Sequence, residues 1–77
     1  MDKRHWLVIS FQSTHDAMRA EKLFQEHDIK GLIIPTPRKI SASCGLCWRM
    51  VPDLREVAAQ ILDYNSITLT GWHDIEM

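Results

Sequence analysis

Two cysteines lie three residues apart in Cys44-Gly45-Leu46-Cys47. As a thiolate, cysteine attacks disulfides, accepts a sulfane sulfur or ligates a metal. Cys44 follows Ser41-Ala42-Ser43 and precedes Gly45. Small neighbours leave its sulfur approachable, and glycine keeps the backbone permissive. Arg38 and Lys39, a few residues earlier, favour the thiolate and lower the thiol pKa from its reference of about 8.5. The competing reading makes Cys44 a small buried hydrophobe, as free cysteines often are. Its place in a basic stretch, just before a glycine, favours the reactive one. Cys47 reads as a strand residue beside Arg49, either a resolving thiol or a passive filler.

Other chemistries have less support. A thioredoxin-type pair opens a helix, whose N-terminus lowers the first thiol's pKa; here the pair opens a strand. A structural zinc site needs about four ligands, and a second CxxC is absent. The four histidines, His5, His15, His27 and His73, are scattered along the chain, so no metal or other cofactor is expected. His15, beside Asp16 at a helix start, is the one to test. The three glycines, Gly31, Gly45 and Gly71, build no phosphate loop. No paired carboxylates and no Ser-His-Asp set stand out. A sheet that binds RNA wants outward aromatics on its central strands and a basic surface. With a sequence pI near 6.4, nucleic-acid binding is not expected.

The net charge of −1 hides an uneven distribution. Residues 1–29 carry four bases and five acids, residues 30–51 carry Lys30, Arg38, Lys39 and Arg49 with no acid, and residues 52–77 carry Arg55 against five acids. Both cysteines therefore lie in the one basic third, whose field favours a thiolate or an anionic ligand. The 77 residues bury only about 60% of the surface of the unfolded chain. One domain over 1–77 is expected, with no room for a large catalytic cleft. No apolar run approaches the roughly 18 residues of a membrane span. The charged start (Asp2, Lys3, Arg4) does not read as a secretory signal. The expectation is a soluble cytoplasmic protein.

The elements that must position this chemistry follow from periodicity. His5 to Phe11 alternates as a strand. Ser13-Thr14-His15-Asp16 is a capped helix start, and Ala17, Ala20, Leu23 and Phe24 form one helical face ending near Asp28. A second strand covers Lys30 to Ile34, and Pro35-Thr36-Pro37 stops it. A loop follows to about Cys44-Gly45, and Leu46 to Val51 is the third strand. Pro52 suits the first turn of a second helix, with Leu54, Val57, Ala58, Ile61 and Leu62 as its buried stripe. Ile67 to Trp72 is the last strand.

The order β-α-β-β-α-β predicts an α+β, ferredoxin-like split βαβ sandwich, a four-stranded antiparallel sheet with both helices on one face. Strict alternation places Leu7, Ile9, Phe11, Leu46, Trp48, Met50, Ile67 and Leu69 under the helices. The open face then shows Trp6, Val8, Ser10, Cys47, Arg49, Thr68, Thr70 and Trp72. Two tryptophans on an open face call for a partner or a cover. A homodimer through that face or an edge strand is one answer.

The run Ser13-Thr14-His15-Asp16-Ala17, then Ala20-Glu21-Lys22-Leu23, Ile34-Pro35-Thr36-Pro37-Arg38 and Ile40-Ser41-Ala42-Ser43-Cys44-Gly45-Leu46 resembles the selenium/sulfur carrier-like family. The likeness covers about residues 6 to 64, and its most specific piece is PTPR followed by SASCGL. It implies a ferredoxin-like domain that carries sulfur or selenium on the cysteine of the SCG motif, here Cys44. Thr36, Pro37, Arg38 and Ser43 match the family's loop, and Thr14, His15 and Asp16 its helix start. Cys47 departs from the pattern, which usually has a small non-cysteine residue there.

On this reading Cys44 holds a persulfide or selenide adduct, stabilised by Arg38, Lys39 and the Gly45 backbone. A donor protein such as a cysteine desulfurase loads it and an acceptor protein takes it. Such a protein is a relay and not a turnover enzyme. The alternative is a small-ligand-binding or regulatory module in which Arg38 and backbone donors recognise an anion without thiol chemistry. A redox switch between Cys44 and Cys47 is a third reading.

Overall fold

The computed structural model describes residues 4–40 and 45–76. Strand β1 spans His5–Phe11, helix α1 Thr14–Glu26, strand β2 Gly31–Pro35 and strand β3 Leu46–Met50. A 3-10 turn, Pro52–Leu54, leads into helix α2, Arg55–Tyr64, and strand β4, Leu69–Glu76, follows. The four strands form one sheet in the order β2-β3-β1-β4, every neighbour antiparallel. The fold is therefore α+β, with an open four-stranded antiparallel sheet and two helices.

Both helices pack into one core. Ser13 caps α1, its Oγ accepting from the Asp16 backbone N–H at 3.1 Å. Ala17 and Ala20 bring that helix close to the sheet, and Phe24 meets the Trp48 ring at a centroid distance of 5.1 Å. Ala58, Ile61 and Leu62 of α2 complete the cluster with Leu7, Ile9, Phe11, Trp48 and Met50. Gly31 is required by that packing. A side chain there would overlap the Trp48 ring, meeting Cε2 at 2.6 Å and the Arg49 carbonyl oxygen at 2.5 Å.

Three expectations need correction. Val57 does not join the buried stripe but stays 47% exposed. Only the Ala58–Ile61–Leu62 side of α2 meets the sheet, so the apolar arc is wider than the contact. Ile67 and Thr68 are not strand residues. The Ile67 N–H donates to the Leu62 carbonyl at 3.0 Å, closing the end of α2, and Ile67 is buried there.

Trp72 changes face. The β1–β4 register runs Ile9↔Trp72, Ser10↔Gly71 and then Phe11↔Leu69, so Thr70 is an extra residue. One inserted residue inverts the alternation beyond it. Leu69 and Trp72 thus both pack against the helix-side core, and the Arg55 guanidinium lies over the Trp72 ring, 5.1 Å from its centroid. The helix-free side of β4 instead carries Gly71, His73 and Ile75, opposite Ser10, Val8 and Trp6.

Candidate functional site

The described residues of the connection from β2 to β3 make ordered backbone hydrogen bonds. Pro35 ends β2, and the Thr36 N–H donates to the Gly45 carbonyl at 2.9 Å, closing the base of the loop. The Ile40 N–H donates to the Pro37 carbonyl at 3.0 Å, turning the chain over Arg38 and Lys39. Both of these cations are exposed, while Ile40 is only 6% exposed. Ile40 packs with Val8 and Cys47 on the side of the sheet away from the helices, joined by the partly buried Trp6, Ile34 and Ile75. The described part of the loop, residues 36–40, therefore reaches onto the helix-free face and covers part of it through Ile40.

Cys47 faces that side, as the alternation predicts, yet it is fully buried. Its Sγ lies 3.3 Å from Thr36 Oγ1, and either group can donate. A loop residue and a strand residue thus meet beneath Ile40. Ser10, the register partner of Cys47 on β1, is also buried and polar. Its Oγ lies 2.7 Å from Thr70 Oγ1 and 2.9 Å from His73 Nε2. Gly71 makes this approach possible, because a Cβ there would stand 3.0 Å from His73 Nε2. The extra residue of the bulge is thereby fastened to the centre of the sheet.

Strand register gathers the rest. Ser10 pairs with Cys47 and Pro35 with Leu46. The turn from β1 into α1 therefore emerges at the same end of the sheet as the 36–45 loop. The two segments carrying Thr14-His15-Asp16 and Thr36-Pro37-Arg38, far apart in sequence, share one end of the molecule. The family model described as "Putative Se/S carrier protein-like" matches residues 7–74. The chain belongs to this family. No curated protein and no solved structure matches it.

The carrier-like motifs occupy unequal surroundings. Cys44 and Ser43 lie outside the described residues. Thr36 and Pro37 are half-buried at the loop base, and His15 is exposed on the first turn of α1. Gly45 is exposed and does not have a positive φ, and no described atom lies within 4 Å of where its Cβ would be. Packing against the described residues does not require a glycine at this place. Among the described residues no three His, Cys, Asp or Glu side chains come together in a way that could hold a metal ion. No helix among them is long and apolar enough to cross a membrane.

Sequence reasoning missed Ile40 as the loop's anchor, although one aliphatic residue in a basic, small-residue stretch is a usable signal. It also missed the Ser10–Thr70–His73 cluster. Those partners are some sixty residues apart, and no local pattern announces them.

Proposed function

We propose that the chain is a carrier that holds sulfur or selenium on Cys44 and passes it on. The Cys44 thiolate attacks the terminal sulfur of a donor persulfide. The donor's S–S bond breaks, its thiolate leaves, and Cys44 becomes a persulfide. An acceptor nucleophile then takes the terminal sulfur and returns Cys44 as the thiolate. A selenium atom would follow the same displacements. Carriage of this kind works with donor and acceptor proteins in general, and a cysteine desulfurase is a suitable donor. Arg38 and Lys39, exposed on the same loop, supply the positive field that favours the anionic adduct. Thr36 and Gly45 close the base of the loop, Ser43 joins them as a binding residue beside Cys44 in sequence, and His15 lies on the helix turn at that end of the sheet.

The observation that carries this reading is that the described flanks of Cys44 are anchored. Ile40 on one flank of Cys44 packs on the sheet, and the Thr36–Gly45 hydrogen bond fixes the other flank at the loop base; fixed flanks suit presentation of one cysteine to successive partners. Cys47 fits a resolving role only when the loop lifts, because its sulfur is buried. It would then attack the Cys44 sulfur, release hydrosulfide and leave a Cys44–Cys47 disulfide for a dithiol reductant to reset. The antiparallel order β2-β3-β1-β4 within a β-α-β-β-α-β chain supports the ferredoxin-like split βαβ sandwich, and we take 1–77 as a single domain.

The test is intact mass spectrometry without reductant after incubation with a cysteine desulfurase and cysteine. Wild type should gain a reductant-labile mass of one sulfur atom, and Cys44→Ser should not. If wild type gains nothing, or the variant gains as much, Cys44 is not the carrier thiol.

A further inference from the structure

The helix-free face extends beyond the loop. Register places Leu32 of β2 beside Arg49 of β3 and Val8 of β1 on this side, and Trp6 and Ile75 lie at its far end. Leu32 is 52% exposed, Val51 just past β3 is 38% exposed, and Trp6, Ile34 and Ile75 are half-buried. Several cations border this apolar patch. Arg49 lies on it, Arg4 and Lys30 immediately precede β1 and β2, and Arg38 and Lys39 ride on the loop that covers one end. Asp74 and Glu76 fall on the opposite side, where His5 meets their oxygens at 3.5 and 3.7 Å.

We propose that this face docks a partner protein whose own contact patch is apolar and rimmed with aspartate and glutamate. Buried aliphatic area would supply the affinity, and the cationic rim would speed and orient the encounter. A second copy fits poorly, because two such faces oppose cations to cations. Single-stranded nucleic acid fits poorly as well, since it wants aromatic faces on which to stack. The Arg49 guanidinium already occupies the Trp6 ring, 4.4 Å from its centroid, and the other apolar members are aliphatic. The inference adds partner chemistry to the carrier reading but does not rest on thiol chemistry, so it is tested in Cys44→Ser protein. Its failure would leave the loading experiment untouched, and the reverse holds too.

The probe is an amphipathic peptide of alternating glutamate and leucine, compared with its lysine-for-glutamate counterpart and with oligouridine RNA. Binding is followed by NMR on isotopically labelled protein. The acidic peptide should shift the Trp6 indole N–H and the Leu32 and Ile75 methyls, and added salt should weaken it. Arg49→Glu should weaken binding about tenfold. Lys30→Glu, at an exposed position, should act in the same direction without disturbing the fold. The proposal is overturned if neither peptide shifts these residues, if the lysine peptide binds as well, or if the shifts centre on α2. Preferential RNA binding, or dimerisation through this face in sedimentation, overturns it equally.

Discussion

Truncation of Ile40 offers the most direct measure of what the loop does to the sheet beneath it. Ile40→Ala removes three carbon atoms from a side chain packed with Val8 and Cys47. At about 0.8 kcal/mol per buried carbon, the loop loses about 2.4 kcal/mol of its hold on the sheet. A surface loop relaxes into the space, so little cavity cost is added. At 1.4 kcal/mol per factor of ten, the lifted population rises about 50-fold. Cys47 reports it, because its sulfur is buried while the loop is down. In a Cys44→Ser background, the reaction of Cys47 with excess aromatic disulfide reagent follows that population whenever the loop closes faster than the reagent reacts. The rate should rise about 50-fold in Ile40→Ala and stay nearly insensitive to low urea, because local opening exposes little surface. A change under about twofold would refute the reasoning. So would a urea dependence as steep as that of global unfolding, since Cys47 would then be reached only through the unfolded state.

Three further perturbations follow from the packing. Gly31→Ala should lose stability toward the upper end of about 1–3 kcal/mol in chemical denaturation, because neither the Arg49 carbonyl nor the buried Trp48 ring can retreat from the new methyl. Ser10→Ala should cost about 1 kcal/mol, since the partly accessible His73 and exposed Thr70 can turn to water. Faster hydrogen exchange of the Leu69 to Gly71 amides should mark the loosened bulge. Gly45→Ala should change stability by no more than about 0.5 kcal/mol. A loss of Cys44 loading in that stable variant would assign Gly45 to access around the sulfur.

Much of this fold was legible because local signals agreed with tertiary demands. The alternation of β1 and the Ser13 cap needed no distant partner to be read. The alternation of Leu46 to Met50 likewise put Cys47 on the helix-free side. Trp72 was misplaced because face assignment counts residues, and the pairing of Thr70 with the distant Ser10 inserts one. Val57 was misplaced because a helical stripe shows what is apolar, not how much of it the sheet covers. The burial of Cys47 was invisible because its cover, Ile40, comes from the loop and not from a neighbouring element. The chemistry was legible only as residue types. Positive residues near a cysteine are a matter of sequence, whereas the side of the sheet on which their loop lies depends on one buried isoleucine.

Ile40 also ties two events to a common equilibrium. It rests on the same face that we assign to an acidic partner, so docking and loop lifting cannot be energetically independent unless the partner holds both loop positions equally well. A partner that prefers the lifted loop by some factor raises its population by that factor. Any adduct on the loop that shifts the same balance must alter the partner's affinity reciprocally. A donor and an acceptor could then tell a laden carrier from an empty one without touching the cargo. The discriminating quantity would be how firmly one aliphatic side chain remains seated.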